Sequence, residues 1–254
     1  MKKRCWKGSL FASVVRVFSM KFHKMINVYK NVYAFITPSE FLKKKLALNG
    51  FDEKRIHCIP TFTASKTTIG EPQIGSYGLY FGRVTEEKGV ETVIKAYEKL
   101  PEYTVKIMGD DTTDEAKRLK KYVKDHKMKN VEFLGFKSGE ELEDIIKGAR
   151  FTLIPSIWYD NLPNTALESF QYSKPVIASN IGSLPELVSD GENGYLFEPS
   201  NVEDLIKKIK MLDDDILVKK MGQASRKRLE NRFAPQSHYE ALMKIFNEAG
   251  KNRK

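Results

Sequence analysis

From Asn31 onward the chain alternates short apolar runs with segments whose apolar residues recur at helical spacing. "VYAFITPS" is rich in β-branched and aromatic residues and ends at Pro38-Ser39. Ser39 is placed to cap a helix over "EFLKKKLALNG", and Gly50 stands where a terminating glycine belongs. "RIHCIP" predicts a second short strand. "YGLYFGR" predicts the next, and Val90, Val93, Ile94 and Tyr97 then fall at i, i+3, i+4, i+7, the buried face of one helix. "YTVKIMG", "NVEFLG", "FTLIPS", "PVIAS" and "GYLF" predict five more strands, with helices between them. Ser138 with Glu141, and Ser200 with Glu203, have the spacing of capping boxes ahead of two of these helices. Two further helices, near 214–230 and 235–249, close the pattern.

Strands that alternate with helices predict a parallel, doubly wound sheet with right-handed crossovers. The periodicity fails over "TFTASKTTIGEPQIGS", which is rich in Thr, Ser, Gly and Pro and reads as a linker. The expected organisation is therefore α/β. A partial α/β unit and its linker occupy 1–66, a complete sheet domain 67–234, and a terminal helical segment 235–254, which is expected to return to the first unit.

Composition adds one constraint. With 43 basic and 33 acidic residues the net charge is +10, which favours anionic partners: nucleic acid, an acidic membrane face or a phosphorylated small molecule. The chain lacks the interleaved aromatic and basic residues of RNA-binding modules, so nucleic acid is not expected. Cys5 and Cys58 form neither a disulfide framework nor a metal-ligand pattern, and the histidines at 23, 57, 126 and 238 have no metal-binding spacing. No metal site is expected, and a reducing, cytoplasmic setting is. The opening "MKKRCWKGSLFASVVRVFSMKFHK" reads as a basic, aromatic-rich amphipathic helix, its apolar runs broken by Lys7, Arg16 and Lys21. Such a helix packs on a neighbouring domain or touches a membrane surface.

In open parallel sheets, ligands bind beyond the carboxyl ends of the strands, against helix N-termini. Three loops carry unusual residues at that edge. "FGRVTEEKGV" offers Arg83 and Lys88, two positive charges suited to a diphosphate or, in the plainer reading, solvated cations paired with Glu86 and Glu87. "IMGDDTTDE" offers Gly109, which permits close backbone approach to a ligand or simply makes a turn. "DNLPNTALES" opens a helix whose free N–H groups suit a phosphate. Asp160 and Glu168 lie beside it. Two carboxylates there are costly unless they bind something, and sugar hydroxyls are natural partners. The alternative is that Asp160 and Asn164 are helix caps and Glu168 is an ordinary surface residue.

The ordered series "YFGRVTEEKGVETVIKAY", "VEFLGF" and "IPSIWYDNLPNTALESFQYSKPVIASNIGSLPELVSDGENGYLFEP" resembles the GT-B glycosyltransferases, and most closely their retaining family 4. The resemblance is dense from Tyr77 to Pro199 and weaker in "AFITPSEFLKKKLALNGF". It implies a Rossmann-like nucleotide-sugar-binding domain beside a partial, acceptor-side N-terminal α/β domain. Arg83 and Lys88 would hold the donor diphosphate and stabilise it as it leaves. Glu168 matches the second acid of the E-x7-E signature, which bonds the ribose. Asp160 occupies the first acid position, which contacts the donor sugar. The backbone of Asn161, Leu162, Pro163, Asn164 and Thr165 would meet the phosphates, Gly82 and Gly109 would line the same side, and Phe136 with Lys137 would flank the base.

The implied reaction moves a sugar, with retention, from a nucleoside diphosphate sugar (UDP-sugar is expected) to a saccharide or lipid-linked acceptor of cell-surface polysaccharide biosynthesis. No metal and no cofactor beyond that donor is implied. The implied setting is the cytoplasm, extending to peripheral contact at the inner face of the membrane. Two departures stand out. Asp160 replaces the usual Glu and is one methylene shorter. The early N-terminal domain of the family has no counterpart here, so completion by a partner chain or by self-association is one expectation, and a donor-binding half-enzyme without its own activity another.

Overall fold

A computed structural model describes residues 9–63 and 73–251. The expected opening residues up to Gly8, the middle of the expected linker and the last three residues of the tail lie outside them.

The first unit begins with α1 (Leu10–Met25), capped by the Ser9 hydroxyl. β1 (Phe35–Thr37), α2 (Glu40–Leu48) and β2 (Ile56–Cys58) follow as a β-α-β unit, and the two strands pair in parallel with Phe35 opposite Ile56. Ser39 caps α2 as its position predicts, its Oγ accepting the Leu42 N–H. This two-stranded sheet is small, and Ile36 is 46% exposed on it.

The second unit runs β3 (Tyr77–Phe81), α3 (Val90–Glu98), β4 (Thr104–Met108), α4 (Asp114–Asp125), β5 (Val131–Gly135), α5 (Gly139–Lys147), β6 (Ala149–Ile154), α6 (Asn164–Gln171), β7 (Val176–Ser179), α7 (Leu184–Leu187), β8 (Gly194–Phe197), α8 (Val202–Lys210) and α9 (Asp215–Arg232). The six strands are all parallel, in the order β5-β4-β3-β6-β7-β8. The strands β3, β6, β7 and β8 are buried on both faces along most of their length, which is why these runs read as continuous apolar stretches, whereas the edge strand β5 is buried only at Val131. One face packs Val93, Ile94 and Tyr97 of α3, Leu119 of α4 and Leu205 of α8 against Ile107, Leu153 and Ile177. The other packs Leu167 and Phe170 of α6 and Leu229 of α9 against Ile154 and Val176, with Ile146 of α5 over Leu79. Each fully buried side chain of this size contributes about 1.5–3 kcal/mol.

The last helix, α10 (Pro235–Lys251), touches the first unit: its His238 Nδ1 lies 2.7 Å from the Pro60 carbonyl oxygen, and its ring packs on Phe62.

Two expected caps are not the ones used. Ser138 precedes α5 but makes no side-chain capping bond. At α8 the cap is Asn201, whose side chain accepts the Asp204 N–H. Ser200 takes a left-handed φ of 64°, which turns the chain one residue before the helix and passes the capping position on.

Lys174 is an unexpected core residue, 1% exposed, in the turn between α6 and β7. Its ammonium donates to the carbonyl oxygens of Gln73 and Lys147, at 2.7 and 2.6 Å. Burial lowers its pKa to about 8. A lysine that releases its proton early when folded leaves the unfolded chain binding more protons between that value and the ordinary lysine range, so stability rises with pH there. Cys58 works in the opposite direction, since burial and the nearby Glu40 raise its thiol to about 11. The two effects separate at the low end of the window. Between pH 8 and 9 the denaturant midpoint is expected to rise in the wild type and to fall slightly in Lys174→Met, where the Cys58 thiol acts without the lysine. Parallel profiles would mean that Lys174 does not titrate there.

Candidate functional site

The strand order reverses between β3 and β6, so the loops that follow these strands diverge and leave a crevice at the carboxyl edge of the sheet. The crevice holds about 400 Å³. Gly82, Arg83 and Lys88 line one wall from the β3 loop. Ser156, Asp160, Pro163, Asn164 and Thr165 line the other, from the β6 loop and the start of α6. Residues from two sequence-separated motifs thus meet at one place.

The walls are fixed by their own backbones. Gly89 has φ 67°, and a Cβ there would sit 2.0 Å from the Pro155 carbonyl oxygen. Ile157 N–H donates to the Glu87 carbonyl at 3.0 Å. The Arg83 carbonyl accepts the Tyr80 hydroxyl at 2.5 Å. On the other wall Leu162 adopts a left-handed φ of 57°, which costs roughly 1–2 kcal/mol for a residue with a Cβ. Its side chain compensates by packing into the core at 5% exposure, and its N–H donates to the Ser183 hydroxyl at 2.7 Å. That hydroxyl donates in turn to the Asp160 carbonyl, also at 2.7 Å.

One pair of charges bridges the crevice. Lys88 Nζ lies 2.5 Å from Asp160 Oδ1, and the other carboxylate oxygen accepts the Ser156 hydroxyl. Asp160 therefore does not cap α6. Pro163 precedes that helix and no side chain caps it; the Ala166 N–H is taken by the Pro163 carbonyl, and Asn164 and Thr165, the first two residues of the helix, line the crevice. Arg83 is exposed, and among the described residues no carboxylate forms an ion pair with it. Against its burial, Glu87 is held below the ordinary carboxylate range, first by its own backbone amide and less by the positive charges of Arg83 and Lys88.

Not every expected residue reaches the crevice wall. Glu168 sits one turn into α6, half-buried, and burial alone pushes its carboxyl upward. Among the described residues no hydrogen bond or ion pair meets it. Asn161 is exposed, and its side-chain oxygen accepts the Ser39 hydroxyl at 3.0 Å. Leu162 is a core residue, and its N–H, assigned above to a phosphate, is taken by Ser183. Gly109 is a glycine for the protein's sake: a Cβ there would sit 1.9 Å from the Gly82 carbonyl oxygen, so the close approach is to its own chain. Phe136 follows β5 and is 74% exposed, two strands from β3, roughly 10 Å along the sheet edge.

Residues that the sequence did not single out support this site from the first unit. The Glu186 carboxylate of α7 accepts the N–H groups of Glu40 and Phe41 at 2.9 and 2.7 Å, closing the start of α2 from a distant part of the chain. The Phe41 ring packs on Tyr159 with centroids 5.0 Å apart, and Lys45 lies over the same tyrosine. A glutamate 146 residues away from its partner leaves no local signal.

The open six-stranded parallel sheet, with a crevice at its switch point, defines an α/β domain of the Rossmann class. The profile described as "Glycosyl transferases group 1" matches residues 65–228, and the chain belongs to that family. It is 30% identical over 174 residues to the "Uncharacterized glycosyltransferase MJ1178" of Methanocaldococcus jannaschii, covering 68% of this chain and 48% of that protein. It is 25% identical over 173 residues to the "Capsular polysaccharide biosynthesis glycosyltransferase CapM" of Staphylococcus aureus, covering 66% and 45%. The chain thus spans about half the length of the curated relatives it matches. Among solved structures, Anabaena Alr3699/HepE in complex with UDP and glucose superposes with a TM-score of 0.76 at 19% identity, over 85% of this chain and 63% of that one. The fold is of the GT-B type. Among the described residues, no helix is long and apolar enough to cross a membrane.

Proposed function

We propose that the crevice between β3 and β6 binds a nucleoside diphosphate sugar, with a UDP-sugar as donor, and that the chain takes part in retaining transfer of the sugar to an acceptor hydroxyl. The observation that carries this reading is the convergence of Arg83, Lys88 and the uncapped start of α6 on one crevice at the topological switch point. In transfer, the bond between the anomeric carbon and the phosphate oxygen breaks, and its electron pair leaves with the diphosphate. A bond to the acceptor oxygen forms, and the acceptor's proton passes to the departing diphosphate, whose oxygen now carries that electron pair. Cationic side chains and fixed amide dipoles stabilise the negative charge as it grows, which is where such groups lower a barrier. Glu168 is assigned to the ribose hydroxyls and Phe136 to a face of the base. Retention rests on the resemblance to the E-x7-E enzymes.

The UDP complex of HepE supports the donor class, and the name of CapM supports a place in capsular polysaccharide biosynthesis; a saccharide or lipid-linked acceptor is part of the proposal. The first unit is the proposed acceptor side. On α1, Phe11 and Phe18 are 79% and 70% exposed among Arg16, Lys21 and Lys24, a composition that supports peripheral contact with an acidic membrane face. A second reading is a donor-binding half that needs a partner chain to turn over, favoured by the span of about half the relatives' length. Calorimetric titration with UDP tests the donor site: saturable binding with one site per chain is expected, and no binding would remove the proposal. Transfer by the chain alone, against transfer only with an added partner, separates the two readings.

A further inference from the structure

The Lys88–Asp160 pair is enclosed, with side chains 19% and 15% exposed, and it stands on the crevice wall rather than beneath it. Both oxygens of the carboxylate are engaged, one by Lys88 and one by Ser156. The backbone is pinned as well, through the Ser183 hydroxyl on the Asp160 carbonyl. Arg83, the other cation of the crevice, has no such carboxylate. One of the two positive charges is thus already satisfied from within the protein.

We propose that Asp160 is an internal stand-in for the diphosphate. In the ligand-free protein it holds the Lys88 ammonium in the crevice, and donor binding exchanges that carboxylate for a phosphate oxygen at Nζ. The inference rests on the donor-site reading above and goes beyond it by assigning Asp160 a role toward Lys88. A compact ammonium suits such an exchange, because it is a point charge indifferent to which oxygen it meets. The stand-in has two consequences. Lys88 is held in the crevice before the ligand arrives, so little side-chain freedom is lost on binding. The displaced carboxylate then needs new hydrogen-bond donors, which a donor sugar supplies through its hydroxyls and a bare diphosphate does not. Asp160 therefore disfavours the product relative to the donor and hastens its release. The shorter side chain at this position fits the assignment, because aspartate meets Lys88 and Ser156 together.

The test is a double-mutant cycle of wild type, Asp160→Asn, Lys88→Met and the double variant, each titrated by calorimetry with UDP, GDP and ADP at fixed low salt. Asp160→Asn is expected to bind the preferred nucleotide about tenfold more tightly than wild type, and in the Lys88→Met background to change affinity less than about twofold. An equal gain in both backgrounds would reduce the effect to the loss of one negative charge and overturn the exchange. Weaker binding by Asp160→Asn in the wild-type background would show that the carboxylate supports the nucleotide directly, and would also overturn it. If wild type binds none of the three nucleotides, the donor-site reading falls and takes this inference with it. Circular dichroism and thermal melting check folding, and Asp160→Ser carries the same cycle if the Asn variant does not fold.

Discussion

Gly109→Ala is expected to destabilise the protein by about 3 kcal/mol or more, lowering the melting temperature by roughly 6–12 °C for a chain of this size. The added Cβ would meet the Gly82 carbonyl oxygen at 1.9 Å, a contact with backbone and not with a flexible side-chain end. Neither strand end can yield easily. Gly82 N–H is bonded to the Met108 carbonyl and Gly109 N–H to the Gly135 carbonyl, each at 2.9 Å, so three adjacent strands would have to part together. Because Gly82 leads into Arg83, the folded fraction should also bind nucleotide less well. Gly250→Ala is the control, since a Cβ there meets nothing within 4 Å. A Gly109→Ala melting curve that overlays the wild type would show that the strand ends are far softer than described.

Arg83→Ala is expected to weaken UDP binding by about 10- to 100-fold, the value of one or two charge-assisted hydrogen bonds, while the melting temperature stays within a degree or two. The separation of the two readouts follows from exposure. The guanidinium is exposed and forms no ion pair with a carboxylate among the described residues, so removing it costs the ligand-free protein only its weak through-space attraction to Glu87. Lys88→Ala lacks this clean separation, because it strands Asp160 at an enclosed site. Arg83→Lys should recover part of the lost affinity, as a point charge replaces a planar fork. Unchanged UDP affinity in Arg83→Ala would remove Arg83 from the phosphate site.

The sheet was legible because parallel strands buried on both faces are apolar throughout, and the α3 face because Val90, Val93, Ile94 and Tyr97 repeat at helical spacing. What the sequence could not show were contacts made across long separations. Lys88 and Asp160 lie 72 residues apart, and their pairing follows from which two strands flank the reversal, not from either loop. The local sequence instead offered Glu86 and Glu87 as partners. Gly109 was visible as a special position, but whether its free space serves a ligand or a neighbouring carbonyl depends on strand order. Leu162 gave no warning at all: nothing in "DNLPN" marks a leucine for a left-handed backbone, and only the core beneath it and Ser183 beside it make that conformation tenable.

The contact of Gly89 with Pro155 and the bond from Ile157 to Glu87 join the two loops that face each other over the crevice. The opening is therefore a mortise and not a jaw. A ligand arriving there would encounter a slot of fixed width, and the adjustments left to that slot are swings of single side chains, over in nanoseconds.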